Sequence, residues 1–275
     1  MIQSLHDCSH SATPSEPVHE ARVHLKKLLA LLRLLRPFIG EEAYVRERGC
    51  FRRAARRLSG YRDAAVCVFT LERLAAEAPS EARAAVEIAR EVFTYDLEQR
   101  RVPARRTLDA VGGSLTAATA AAKEWTFTDC SVETLCESAT QIYRRAYRAA
   151  RRAGKSASTE DLHRWRRRTK ELWSILRLLR EMHGKRLTRM SRVARDFGEI
   201  LGLDHDLAML TEAVAPEDGP AILSPEELEH LQGLIAVRRQ ELQRRAWKLA
   251  EIVYAKKPAK FQDSLLHRWK KWRKK

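Results

Sequence analysis

A basic, leucine-rich segment occurs twice in this chain, and the duplication limits the possible folds more than any other feature. His19-Glu-Ala-Arg22-Val-His-Leu-Lys26-Lys27-Leu28 returns as His163-Arg-Trp-Arg166-Arg167-Arg-Thr-Lys170-Glu-Leu172. The correspondence continues without a gap, Leu32-Arg33-Leu34-Leu35-Arg36 matching Leu176-Arg177-Leu178-Leu179-Arg180. A second block follows in the same order, Leu58-Ser-Gly-Tyr-Arg62-Asp63 against Leu201-Gly-Leu-Asp-His205-Asp206. Two blocks in one order mark two related halves, so the fold has to build the same local structure twice.

That local structure is helical. Glycine and proline are sparse at 11 and 9 of 275 residues, and no stretch alternates at the period of a strand. Helices are expected over about 15–36, 41–58, 63–77, 80–101, 104–123, 131–153, 160–182, 185–201, 206–214 and 225–256. Pro37 should stop the first of them, and Gly112-Gly113 is a candidate break in the fifth. Turns are expected at Gly40, Gly60, Pro79, Pro103, Gly154, Gly184, Gly202 and between Pro216 and Pro225. Asp63 and Asp206 open predicted helices and read as N-caps rather than catalytic groups. Short turns favour antiparallel neighbours. The expected architecture is therefore all-α: two pseudo-symmetric antiparallel helical bundles of about ten helices, with halves at about 14–125 and 126–257. A flexible tail, 1–13, precedes them, and a basic tail, 258–275, follows.

Placed on a helix at 100° per residue, His19, Arg22, Lys26 and Arg33 fall within about 60° of one another. Ala21, Leu25, Leu28, Leu32 and Leu35 occupy the opposite arc. The second copy sets His163, Arg166, Lys170 and Arg177 in the same way against Leu172, Leu176 and Leu179, and Trp165 lies on its apolar arc as a core residue. Like charges three and four positions apart repel. No acid is interleaved in either stripe, which implies that the counter-charge comes from a ligand. Arginine forks and lysine ammonium groups suit phosphate oxygens, and histidine can donate beside them. Lys27 and Arg167 adjoin the stripes, and Arg52 and Arg56 precede the second block, with Arg195 the counterpart of Arg52. Arg144, Arg148 and Arg151 form a further row on the helix before His163. A single basic stripe is ordinarily a solvated face; its recurrence at matched positions favours a binding role.

The global charge agrees: 52 basic residues against 36 acidic ones leave a formal +16, which concentrates anions but does not choose among them. Five cysteines without paired spacing argue against a disulfide framework and for a reducing compartment. The amino-terminal stretch lacks the apolar core of a signal peptide, and no run reaches 18 apolar residues, so a cytoplasmic protein with no transmembrane segment is expected. His6, Cys8 and His10 are too few to define a metal site, and no metal or other cofactor is expected.

The paired His-x-x-Arg helices resemble the conserved histidine α-helical domain, CHAD, in which such a helix opens each half. Val18-His19-Glu-Ala-Arg22 and Leu162-His163-Arg-Trp-Arg166 carry the resemblance, and Leu58 to Asp63 and Leu201 to Asp206 match its Leu-Gly-x-x-Arg-Asp-like turn loosely. The resemblance spans about residues 14–256. It implies two helical bundles related by pseudo-symmetry, binding of inorganic polyphosphate on a basic surface, and association with polyphosphate granules. Members often have arginine ten residues after the histidine, where this chain has Leu29 and Trp173. The Glu-x-Glu-x-Lys motif of the triphosphate tunnel domain found in some relatives is missing from the sequence.

Nucleic acid is the alternative polyanion. Sequence-tolerant single-strand binders interleave aromatics with cations, and the stretch from His19 to Arg36 contains no aromatic, which weighs against it. An enzyme acting on polyphosphate would want carboxylates holding magnesium. Asp196, Glu199, Asp204 and Asp206 cluster in the second half, but the first has no counterpart, so a non-catalytic protein is expected. The end from Arg268 to Lys275 holds six cations and two tryptophans and reads as a frayed, solvated terminus or an auxiliary polyanion grip.

Overall fold

A computed structural model describes residues 15–127, 131–215 and 221–272. The expected flexible tail 1–13, with His6, Cys8 and His10, lies outside the described residues. The fold is all-α; the described residues form helices and no strand. In chain order they are α1 (Ser15–Ile39), α2 (Glu41–Arg57), α3 (Ser59–Ala75), α4 (Ser80–Gln99), α5 (Arg101–Lys123), α6 (Val132–Ser156), α7 (Thr159–Val214), α8 (Pro225–Val253) and α9 (Pro258–Trp272).

Several boundaries differ from those expected. Pro37 lies inside the last turn of α1, and the helix ends instead at Gly40, whose φ of +79° is open to glycine and strained for other residues. Gly60 is inside α3, and the break between α2 and α3 is confined to Leu58, which is buried. Gly112 and Gly113 sit within an unbroken α5. Asp63 and Asp206 are interior residues of α3 and α7, so neither is an N-cap. Their place in the helices follows from helical hydrogen bonding already established upstream, at Ser59 and throughout α7.

Helical backbone runs through all 56 residues of α7, including Gly184 and Gly202. A straight helix would separate Lys170 from Gly198 by about 42 Å at 1.5 Å per residue. Yet a β-carbon built on Gly198 would lie 3.5 Å from Lys170 Cγ, and the Trp165 and Phe197 ring centroids are 4.9 Å apart. The element is therefore two helical arms that abut, the chain doubling back between Lys170 and Phe197. Ser158 caps the first arm by accepting the Asp161 N–H at 3.2 Å.

The chain divides into two compact units. Unit 1 comprises residues 1–24, 52–117 and 203–243, and unit 2 comprises 25–51, 118–202 and 244–275. Each unit thus draws on both sequence halves. Unit 1 is built on Cys67, Leu71 and Leu74 of α3, Ala85, Val86 and Ala89 of α4, Leu207, Leu210 and Val214 of α7, and Leu231 and Ile235 of α8. Unit 2 has an aromatic core. Trp165 is fully buried, as its position on the apolar arc predicts, and it stacks on Trp247 at 4.1 Å and meets Phe197 edge-on. A β-carbon on Gly154 would approach Trp247 to 3.3 Å, so the small residue lets the indole seat against α6.

The basic tail is not frayed over its described residues, and 273–275 lie outside them. Residues 258–272 form α9, which packs on α6. Phe261 stacks on Tyr143 with centroids 4.1 Å apart and planes 8° from parallel, and Leu265 is buried. Cys50, Cys67 and Cys136 are free thiols; burial, then nearby carboxylates, pushes Cys67 up to about 11 and Cys136 likewise.

Candidate polyanion-binding surfaces

In unit 1, helical phase brings His19 and Arg22 of α1 to one side while Val18 and Ala21 go to the core. His19 is exposed. Arg22 is half-buried and donates from Nη1 to the Ala55 carbonyl of α2 at 2.7 Å. Burial pulls its pKa below the usual arginine range, Asp63 pushes it back and Arg62 lowers it. Arg62, also half-buried, is lowered by burial and supported by Asp206 and then Asp63. The two matched aspartates are therefore counter-charges that hold arginines, a role the N-cap reading missed. Their recurrence beside arginine or histidine in the duplicated turn was the available signal. Arg52 and Arg56 are exposed on α2.

In unit 2, Lys26 is exposed and Lys27 half-buried on α1. Arg33 departs from the expectation of a stripe without acids: it forms an ion pair with Glu171 of α7. Arg168 meets the same carboxylate at 3.0 Å. Arg168 was not anticipated as a site residue. Burial, followed by the positive charges of Arg33, Arg145, Arg167 and Arg164, drives it down to about 10. Five guanidinium groups thus share one neighbourhood.

The second stripe lies beside them. The turn before it is fixed by Asp161, whose carboxylate accepts from Ser156 at 2.6 Å and pairs with Arg152 at 2.8 Å; these contacts, Ser156 first, hold it below the usual carboxylate range. One half-turn later His163 is half-buried, and burial together with Arg167 and Arg166 lowers it from 6.5 to about 4. Arg166 and Lys170 are half-buried along the glycine face of the returning arm. A β-carbon at Gly202 would stand 3.7 Å from Lys170 Nζ and 3.8 Å from Arg166 Nε. Glycine at 198 and 202 leaves room for both stems to lie flat, with their cationic ends laid side by side. Arg167 is exposed, and Arg177 is exposed with its guanidinium 5.9 Å from the centroid of the Trp173 ring.

Arg144, Arg148 and Arg151 are all exposed along α6, opposite its buried Ala139, Ile142, Ala146 and Ala150. Arg195 is exposed but engaged, 3.0 Å from Asp196 and 3.8 Å from Glu199. The carboxylates weighed as a magnesium cluster have other work: Asp196 and Glu199 hold Arg195, and Asp204 is buried in unit 1 against Arg239 at 3.1 Å and Gln243 at 2.8 Å.

No helix among the described residues is long and apolar enough to cross a membrane. A family model described as the CHAD domain matches residues 5–215. The match ends before α8 and α9, short of the 14–256 span that the motifs suggest. No curated protein matches the chain.

Proposed function

The chain belongs to the CHAD family, and on that premise we propose that it binds inorganic polyphosphate without catalysing its conversion. The observation that carries the reading is the crowding of cations in unit 2. Beyond burial, Arg33, Arg145, Arg167 and Arg164 all lower Arg168, which shares Glu171 with Arg33, and Arg167 and Arg166 depress His163. Like charges held at half-burial oppose folding unless an anion offsets them. A flexible chain of phosphates supplies repeated oxygens to the stripe His163, Arg166, Arg167 and Lys170, and Arg22 and His19 repeat the chemistry in unit 1. Localisation in the cytoplasm, at polyphosphate granules, belongs to the same proposal.

The test is binding of long-chain polyphosphate across a salt series. Affinity should fall steeply with salt, and each phosphate contact removed should lower the log–log slope by roughly 0.7–0.9, the value for nucleic acids. Arg166→Gln/Arg167→Gln/Lys170→Gln should lower the slope by about two. Neutralising the exposed Arg73, Arg83 and Arg106 should change it far less. Absence of salt-sensitive binding refutes the proposal, as does single-stranded RNA of equal charge displacing polyphosphate. Magnesium-dependent shortening of the polymer would refute the non-catalytic part alone.

A further inference from the structure

A cationic concavity outside the duplicated stripes lies at the corner between α8 and α9, beyond the residues that match the family. It is an open groove of about 820 Å³ lined by Lys256, Lys257, Lys260, His267, Arg268 and Lys271, with Asp263 its single carboxylate. On α9, Lys260, Ser264, His267 and Lys271 recur at helical spacing on one face, so the cations form a row about 16 Å long. The opposite face is anchored in unit 2 by buried Phe261 and Leu265.

The corner itself is fixed. Tyr143 Oη donates to the Lys256 carbonyl at 2.6 Å, with the Val253 carbonyl at 3.3 Å, and the Tyr143 ring stacks on Phe261. Tyr254, within the same turn, meets Thr169 Oγ1 at 3.1 Å, hydroxyl to hydroxyl. Two flexible lysines at 256 and 257 thus start from an ordered backbone, which reduces the entropy lost when they close on a ligand. Among the described residues no Phe, Tyr or Trp side chain lines the groove, which offers mainly charge and hydrogen-bond donors.

We infer that this groove is a second polyphosphate-binding site, formed by a carboxy-terminal helix outside the family-matched residues. The inference rests on the polyphosphate reading above and extends it to a separate surface. An extended phosphate chain along α9 would meet Lys260, His267 and Lys271 in succession, while Lys256 and Lys257 close over one end. Asp263 keeps the row from binding small monovalent anions tightly, because one phosphate must overcome its repulsion whereas a chain spans past it.

Five full-length proteins test this: wild type, the groove variant Lys257→Gln/Lys260→Gln/Lys271→Gln, the stripe variant Arg166→Gln/Arg167→Gln/Lys170→Gln, the combination of groove and stripe substitutions, and the charge-matched control Arg73→Gln/Arg83→Gln/Arg106→Gln. The groove substitutions fall on exposed side chains, and circular dichroism verifies that the helices persist. Long-chain polyphosphate is titrated against each over a salt series. The groove variant should bind at least tenfold more weakly than the control at low salt, with a slope smaller by about two. The stripe variant should keep residual binding that the groove substitutions then remove. A groove variant indistinguishable from the control overturns the inference and leaves the stripe reading intact. A stripe variant that binds as wild type while the groove variant does not overturns the stripe reading instead; wild-type protein that binds no polyphosphate overturns both. Single-stranded RNA outcompeting polyphosphate on the stripe variant would overturn the assignment of the groove to phosphate chains.

Discussion

His163 should report directly on ligand binding, because the groups that depress it are the groups expected to hold the anion. In the free protein its pKa lies at about 4, against an ordinary 6.5, owing to burial and then to Arg167 and Arg166. The unfolded chain takes up a proton near 6.5 and the folded one only near 4, so this histidine favours folding above pH 6.5 and loses that contribution as pH falls toward 4. The interval corresponds to at most roughly 3 kcal/mol at 1.36 kcal/mol per pH unit. Half-exposure to solvent reduces this to about 1–2 kcal/mol.

A polyphosphate laid against Arg166 and Arg167 reverses the sign of the local potential. Their repulsion of the imidazolium is offset, and the phosphates attract it, so the pKa of His163 rises in the complex. Each unit of rise makes binding about tenfold tighter on the acid side. A rise of one to two units predicts affinity that increases, at fixed ionic strength, roughly five- to fiftyfold between pH 7 and pH 4, where free His163 is itself half protonated, with proton uptake on binding. The imidazole resonances of His163, followed by NMR through a pH titration with and without saturating polyphosphate, measure the rise. His163→Gln should flatten the pH dependence of affinity while leaving binding at pH 7 nearly intact. A His163 titration unmoved by saturating ligand would refute the placement of the anion beside Arg166 and Arg167.

Two predictions concern stability. Asp204 is 3% exposed in its side chain and held by Arg239 and Gln243, so Arg239→Ala should lower unfolding free energy by about 3–5 kcal/mol in urea titration. Replacing both partners with apolar residues, Asp204→Leu/Arg239→Met, should cost much less; equal losses for the single and double variants would show that the buried charge is not the cause. Gly112 and Gly113 lie within α5, and a β-carbon at either meets nothing within 4 Å. Each Gly→Ala substitution should therefore raise the thermal midpoint through about 0.5–1 kcal/mol of helix propensity, and a drop would mean that α5 bends there.

Periodicity carried most of the fold and misjudged its punctuation. Leucine spacing put Ala21, Leu25, Leu32, Leu172 and Leu176 in the core correctly, because helical phase is a local property. Glycine was taken as a stop at 60, 112, 113 and 202, yet its helical cost of about 1 kcal/mol is small beside the burial on either flank. Phe261 and Leu265 were hidden within a segment dominated by cations, and the Tyr143 ring on which Phe261 stacks lies far away in sequence.

The site was legible to the same degree and for the same reason. Duplication predicts that Arg33 and Arg177 behave alike, and they do not. The position equivalent to Lys27 in the second copy is Glu171, which forms the ion pair with Arg33 and also meets Arg168. The position equivalent to Leu29 is Trp173, whose ring lies beneath the guanidinium of Arg177. Matched residues share a helical face, but what each does there depends on neighbours that differ: Glu171 makes Arg33 a structural anchor, while Arg177 is exposed. A stripe in sequence therefore identifies which cations can reach a ligand, and the acids opposite decide which of them still have charge to offer it. Arg33 and Arg195, held by Glu171 and by Asp196 and Glu199, have less charge to offer than their place in the sequence implies, and neutralising them should reduce binding far less than neutralising Arg166, Arg167 and Lys170 of the second stripe.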